Sequence, residues 1–444
     1  MAEGADITSG RLRSEEYARN FADLAPPLDH DGALVEADRC YFCYDAPCIE
    51  ACPTGIDIPS FIRKIATGNL KGSAMDILSA NIMGGMCARV CPTEVLCEGA
   101  CVRNAQDARP VKIGQLQRHA TDWLFDQGIQ PFDRAVPTGK RVAVVGAGPA
   151  GLSCAHGCAR GGHDVVVYEC RDKPGGLNEH GIAAYKVVND FAQKEVAFIT
   201  AIGGIEIRTG QMLGRDVELA DLRKDFDAVF LGIGLADVNH LGHEGLAGVV
   251  SAIHYIERLR QVEDLATLPV GRNVVVIGGG STAIDIAIQS RRLGAEHVTM
   301  VYRRGPAQMG ATPHERVLAQ VNGVKIVPWA RPRKLMGEGG HVRAIECELT
   351  RLDDRGELIA TGDSFTLAAD MLFTAIGQKL VPDADRSAGL LTVDRGKIVV
   401  DAERQTSLPD VWAGGDVVHG PDLTVVAVED GKIAARSINR RLAA

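Results

Sequence analysis

The chain has 444 residues, 46% hydrophobic and 24% charged, an ordinary balance for a soluble globular protein with more than one core. Its formal charge of −9 gives no basic footprint for nucleic acid or an anionic membrane surface. No apolar run reaches the roughly 18 residues of a spanning helix, and Met1–Asn20 is polar and mixed in charge, so a cytoplasmic location is expected.

Eight of the twelve cysteines lie between Cys40 and Cys101. In a reducing compartment they read as ligands or buried thiols, not disulfides. The rest of this stretch has helical periodicity, at Ile58–Thr67 and Ser73–Ile82. A helical domain is therefore expected over 1–127, followed by a Pro- and Gly-containing linker over 128–140. The spacings are Cys40-x2-Cys43-x4-Cys48-x3-Cys52 and Cys87-x3-Cys91-x5-Cys97-x3-Cys101. So many thiolates need a soft, multivalent centre, zinc or iron–sulfur. No histidine lies between Cys40 and Cys101, and Pro53 and Pro92 follow cysteines as in iron–sulfur runs. Two 4Fe–4S clusters are expected, with structural zinc as the alternative; spacing leaves the division of ligands open.

Arg141–Val145 is a short β-rich run leading into Gly146-Ala147-Gly148-Pro149-Ala150-Gly151, then a helical stretch and the strand Asp164–Glu169. Gly146 suits the tight turn, Gly148 close approach of a pyrophosphate, and Gly151 helix–strand packing. Glu169 stands where ribose hydroxyls would be bound. The pattern repeats at Asn273–Ile277 and Gly278-Gly279-Gly280-Ser281-Thr282-Ala283, with the strand His297–Tyr302 after it. No acidic residue ends that strand; Arg303 and Arg304 stand there, which tilts the expectation towards NADPH over NADH without deciding it. Two such units imply two doubly wound, Rossmann-like α/β sheets and two dinucleotide sites. A last short strand, Val411–Ala413, precedes Gly414-Gly415-Asp416 and a helix over Val425–Arg440. The expected order is a dinucleotide domain in two parts, 141–240 and 375–444, with a second, NAD(P)-binding domain at 241–374 inserted. Ala150, Gly176, Leu177, Leu213, Gly279, Ala375, Ile376 and Gly377 complete the expected cofactor-binding set. No C-x2-C or C-x4-C dithiol lies in these domains, so disulfide reductase chemistry is not expected.

Thr406 and Asp410–Asp416 resemble the second FAD fingerprint of two-dinucleotide-domain flavoproteins. That resemblance implies FAD at the first loop, with Asp416 on the ribityl chain and Thr424 near the pyrimidine edge. Cys40–Cys48, Cys91–Cys97 and Ile113-Gly114-Gln115-Leu116-Gln117, taken with both glycine loops, are similar to the electron-input half of dihydropyrimidine dehydrogenase. The likeness is greater still to the separate bacterial subunit of the NAD-dependent enzyme, and the glutamate synthase small subunit is a near relative. It implies that Cys40, Cys43, Cys48 and Cys101 hold one cluster and that Cys52, Cys91, Cys97 and Gln117 hold the other, leaving Cys87 a spectator. Where the family carries a flavin-contacting arginine, this chain has Lys186, within Gly181–Val188, which also lacks the family's two prolines. The third arginine that NADPH-using relatives place near the phosphate falls at about Gly310.

The resemblance implies an NAD(P)H-dependent flavoprotein that passes hydride to FAD and single electrons through the clusters. An FMN-containing partner subunit would then reduce uracil or thymine, since no FMN-barrel sequence is present. No acid–base residue is assigned, because stacking nicotinamide on flavin is the catalytic device. The alternatives are a glutamate synthase small subunit, a ferredoxin–NAD(P) oxidoreductase subunit, or a zinc-stapled redox sensor.

Overall fold

The structure, a computed structural model, describes residues 6–242, 245–380 and 390–443. Contacts divide the chain into two compact units. One comprises the segment up to Leu24, His180–Val188 and Val238–Gln378; the other comprises Ala25–Glu179, Asn189–Asp237 and Lys379–Ala444.

The second of these carries the cysteine-rich helices and the first glycine loop together. Its helices His30–Ala37, Ile58–Ala66 and Leu70–Ala80 start where Asp29, Asp57 and Asn69 side chains accept from the backbone N–H three residues on. The Asn69 cap explains why the helix expected from Ser73 begins three residues earlier. Ile58, Phe61, Ile62 and Ile65 recur at helical spacing and are all buried. Helices Gly84–Val90 and Ile113–Asp126 complete the packing around the cysteines.

The same unit contains a parallel sheet in the order Val411–Ala413, Ala228–Leu231, Arg141–Val145, Asp164–Tyr168, Ile205–Arg208. Its central strands are near-continuous buried apolar runs, as strands covered on both faces are. Helices Pro149–Arg160 and Thr424–Ala443 cross closely on one face. A Cβ on Gly431 would lie 2.1 Å from the Ala150 carbonyl oxygen, so only glycine fits that crossing.

The other unit holds a second parallel sheet, ordered Val324–Val327, His297–Val301, Asn273–Ile277, Met371–Thr374, Val249–Ser251. A three-stranded antiparallel sheet, Ala330–Glu338, His341–Leu352 and Leu358–Ala368, is a feature the sequence reading did not anticipate. The N-terminal residues also differ from expectation. Ile7–Thr8 pair with Val270–Gly271, and Tyr17 is buried in a core with Tyr255, Ile256 and Phe373. The segment up to Leu24 therefore belongs with the second sheet and not with the cysteine helices, because that core is where its apolar side chains are covered. Among the described residues no helix is long and apolar enough to cross a membrane.

Candidate functional site

The first glycine loop is shaped by backbone crowding. Gly146 has φ +98°, and a Cβ there would meet the Gly232 carbonyl oxygen at 2.3 Å. At Gly151 a Cβ would sit 1.8 Å from the Gly146 carbonyl oxygen. Gly148 is different: its nearest neighbour would be the Cα of Gly176, at 3.7 Å. The chain after the second strand folds back here, with Gly175 N–H donating to the Ala147 carbonyl at 2.8 Å. Gly148, the helix start at Pro149 and Ala150, and Gly176-Leu177 thus meet at a helix N-terminus, whose free N–H groups suit an anion.

Glu169 is buried at the end of its strand and accepts from Ala147 N at 2.8 Å and from Arg171 N at 2.9 Å. Oε1 also receives the Cys170 thiol at 3.4 Å, which leaves Oε2 with a second lone pair for a ribose hydroxyl. Leu213 lies in the core with Val145, Tyr168 and Leu231.

The motif before the last helix closes the cradle. A Cβ on Gly415 would touch the Ala150 Cβ at 3.1 Å, and Gly415 N–H donates to Asp430 Oδ2 at 2.8 Å. Asp416 is half-buried, and burial of its carboxyl, with Asp422 nearby, pushes its pKa up to about 6. The Thr424 hydroxyl donates to Asn178 Oδ1 at 2.9 Å, while Asn178 Nδ2 is buried with no hydrogen-bond partner. An orphaned amide donor beside an open glycine cradle suits the ring carbonyls of a flavin. Asn178 was missed in the sequence; its only signal is its place directly after Gly176-Leu177.

In the other unit, Gly278 packs on Ala375, whose carbonyl oxygen would lie 2.3 Å from an added Cβ, and Gly279 packs on the ring of Tyr302. Gly280 has nothing within 4 Å of that position and opens the loop to a ligand. Ser281 and Thr282 start the helix Ser281–Arg292, with the Ser281 hydroxyl donating to Glu315 Oε2 at 3.0 Å. Gly310 comes over Gly280, since its own Cβ would lie 3.7 Å from the Gly280 Cα. Ala375, Ile376 and Gly377 follow the central strand, and Asn239 binds the Ile376 and Gly377 carbonyls. The side chains of Arg303 and Arg304, just after the strand His297–Val301, are exposed.

Lys186, which stands where the family carries a flavin-contacting arginine, is ion-paired. Its ammonium lies 2.7 Å from Asp285 and 3.5 Å from Glu315, both in the second dinucleotide unit. Burial opposes its charge, but the two carboxylates outweigh burial and raise its pKa. Asp285 lies in the helix Ser281–Arg292 and Glu315 in the helix Pro313–Val321, so the lysine is held between carboxylates of two helices.

The cysteines form two adjoining groups that do not follow their order in the chain. Cys40, Cys43, Cys48 and Cys101 line one pocket with Ile58, Ile62 and Ile113. Cys101 reaches it because the Arg103 guanidinium stacks 4.2 Å from the Tyr41 ring and donates to the Arg39 carbonyl. Burial, then the neighbouring thiols of Cys40 and Cys101, push Cys48 up to about 12, and burial raises Cys40. A second group centres on Cys91. Its thiol pairs with that of Cys87, and it is near enough to Cys97 and Cys52 for their charges to interact, so its pKa is raised. Burial raises Cys97 as well, and its surroundings include both Cys52 and Cys48. Thiols this resistant to ionisation become ligands only when a metal centre supplies positive charge. Among the described residues no group of three or more His, Cys, Asp or Glu is placed to hold a single metal ion. Gln117 is buried, and its Nε2 donates to the carbonyl oxygen of Gly84 at 2.6 Å, at the start of the helix that leads to Cys91.

Fold, loops and thiol groups together define an NAD(P)-dependent flavoprotein oxidoreductase with a 4Fe–4S domain. Residues 17–129 match the family described as dihydropyrimidine dehydrogenase domain II, 4Fe-4S cluster, and residues 140–431 match the pyridine nucleotide-disulphide oxidoreductases. The NAD-dependent dihydropyrimidine dehydrogenase subunit PreT of Escherichia coli is 35% identical over 425 residues, covering 96% of this chain and 98% of its own. The glutamate synthase (NADPH) small chain of the same organism is 33% identical over 442 residues, 94% of this chain and 93% of its own. Thioredoxin reductase of Lactococcus lactis superposes with a TM-score of 0.54 at 21% identity, over 68% of this chain and 99% of that one, a likeness of fold. The chain belongs to the PreT-type family of NAD-dependent dihydropyrimidine dehydrogenase subunits, to which the glutamate synthase small chain is related.

Proposed function

We propose that this chain is the electron-input subunit of a dihydropyrimidine dehydrogenase. FAD at the first loop would accept hydride from NAD(P)H, and two 4Fe–4S clusters would carry single electrons to an FMN-containing partner that reduces uracil or thymine. The observation that carries this reading is that one compact unit contains both the flavin cradle and the two thiol groups.

Each residue has a defined task in this reading. Gly148 and Gly176 admit the pyrophosphate, Glu169 holds ribose hydroxyls, Asp416 the ribityl chain, and Thr424 with Asn178 the ring edge. Gly280, Ser281 and Thr282 receive the nicotinamide dinucleotide, and Arg303 and Arg304 give a 2′-phosphate two partners. Cys52, Cys91, Cys97 and Gln117 would ligate the cluster on the flavin side, since sheet-domain side chains reach Met86, Thr54 and Ala80 near those cysteines. Cys40, Cys43, Cys48 and Cys101 would hold the outer cluster, where Tyr41, Tyr44 and Val102 are exposed.

The test is anaerobic purification with the native partner, followed by flavin and iron analysis. Oxidation of NADH and of NADPH is then compared with uracil, with 2-oxoglutarate plus glutamine, and with ferredoxin. Turnover with uracil supports the proposal. Turnover only with 2-oxoglutarate and glutamine, or iron-free colourless protein, overturns it.

A further inference from the structure

The helix that begins at the flavin cradle ends its second turn on the cysteine domain. Thr424 opens the helix Thr424–Ala443. Eight residues on, about two turns, Lys432 points its ammonium at the cysteine helices. Nζ donates to the Thr54 carbonyl at 2.9 Å and to the Ala80 carbonyl at 2.8 Å, and lies 2.5 Å from Glu429 Oε2. The two carbonyls take two of the three ammonium donors, and Glu429 adds an ion pair. The side chain is 17% exposed, so it is not a solvated surface charge. Ala80 is the last residue of the helix Leu70–Ala80, and a cation is favourable at that carbonyl end. Thr54 is buried two residues after Cys52, and its hydroxyl lies 3.4 Å from the Cys52 sulfur.

A single lysine thus ties the flavin-side helix to the loop bearing a thiol of the inner group. Nothing in hydride transfer or in flavin binding requires that contact, yet a long, flexible lysine gives up its side-chain freedom to make it. Hydrogen bonds to the sulfurs, nearby charge and the orientation of the ligands are the means by which a protein sets a cluster's potential.

We propose that Lys432 is a positioning residue for electron transfer, holding Thr54 and through it Cys52 in register with the flavin-contacting helix. The inference rests on the proposed function, with Cys52 as a ligand of the inner cluster.

The test compares Lys432→Met, Lys432→Arg and Thr54→Val with the wild-type holoprotein, purified without oxygen. Stopped-flow absorbance follows flavin reduction by NADH or NADPH, and redox titration with electron paramagnetic resonance follows each cluster. For K432M the expected result is unchanged flavin and iron content and an unchanged rate of flavin reduction. Electron arrival at the clusters slows several-fold, and one cluster signal moves to lower potential while the other stays. K432R restores most of the rate, because it keeps a charged donor for the two carbonyls. T54V lowers the potential of the same signal, and it decides the matter if K432M does not assemble. The proposal is overturned if K432M and T54V match the wild type, if both signals shift equally, or if K432R is as defective as K432M. Absence of cluster signals in the wild type would instead defeat the underlying reading, so the two failures are distinguishable.

Discussion

The backbone N–H of Gly415 donates to Oδ2 of Asp430 at 2.8 Å, joining the last glycine turn to the helix that follows it. Asp430 is buried, and its other oxygen receives the Arg404 guanidinium at 2.6 Å. Substituting Asp430→Ala leaves a buried N–H unsatisfied and a guanidinium unpaired. Fully buried pairs lose ~3–5 kcal/mol when one member is removed; Arg404 keeps about a quarter of its exposure, so roughly 2–3 kcal/mol is expected here. Because Gly415 packs against Ala150 and directly precedes Asp416, the variant is expected to lose FAD on gel filtration and melt earlier. Asp430→Asn, which can still accept from Gly415, is expected to retain more of it. Equal flavin retention in D430A and wild type would remove Asp430 from this account.

Glycines that crowd the protein differ from glycines that leave room for a ligand. An alanine methyl at Gly151 would collide with a carbonyl oxygen at 1.8 Å, so G151A is expected to be insoluble or flavin-free and unstable. At Gly148 the nearest atom is 3.7 Å away, and at Gly280 there is none within 4 Å. G148A is therefore expected to fold with intact clusters but without FAD. G280A should keep FAD and iron while its KM for NAD(P)H rises on the order of tenfold or more, ~1.4 kcal/mol or greater. Circular dichroism, cofactor content and steady-state kinetics separate these outcomes. Wild-type FAD affinity in G148A would mean that the cradle is not where the pyrophosphate lies.

The parts of the fold that were legible in the sequence are those with local signals. Arg141–Val145, Asn273–Ile277 and Val411–Ala413 match their expected bounds because each is a short apolar run stopped by glycine. The antiparallel sheet over Ala330–Ala368 was not legible. Its strands mix charged and apolar residues, and cross-strand pairs such as Arg331 with Glu348 appear only once the register is known. The strand Ile7–Thr8 is two residues long and has no pattern of its own. The same distinction holds at the site. The glycine loops and cysteines have spacing that can be read. Asn178, Glu195 and Lys432 act through partners distant in the chain, and nothing in their neighbours marks them.

Cys101 and Cys87 offer a test of how the thiols divide. Cys101 lines the pocket of Cys40, Cys43 and Cys48, whereas Cys87 is buried beside Cys91. The proposed ligand sets include Cys101 and leave out Cys87. Cys101→Ser is expected to remove one cluster, about half of the iron in a protein with two such centres, and to leave the spectrum of the other. Cys87→Ser is expected to retain all of it, with a small loss of thermal stability. Iron and sulfide analysis with paramagnetic resonance decides between them; full iron in C101S would require Cys87 or another donor in its place.

Glu195 gives a pH-dependent prediction. It lies on the helix Phe191–Thr200 and is wholly buried, with Oε1 accepting from Met86 N at 2.9 Å. Burial pushes its pKa up to about 8, against the opposing influence of the Met86 bond and of Arg89, while Asp122 adds to the rise. Arg89 also pairs with Asp122, which weakens its hold on Glu195. A carboxyl that is ionised in the unfolded chain above its ordinary 4.5 keeps its proton in the folded one. Between about pH 4.5 and 8 the native state therefore binds the extra proton, and stability falls as pH rises through that window. Glu195→Gln supplies the same acceptor to Met86 without a titrating group. Relative to wild type, its melting temperature is expected to gain as pH increases from 5 to 8.5, by a free energy of up to a few kcal/mol. Melting curves of both proteins across that range, at one salt concentration, test it, and a constant difference between them at every pH would show that Glu195 does not hold its proton in the fold.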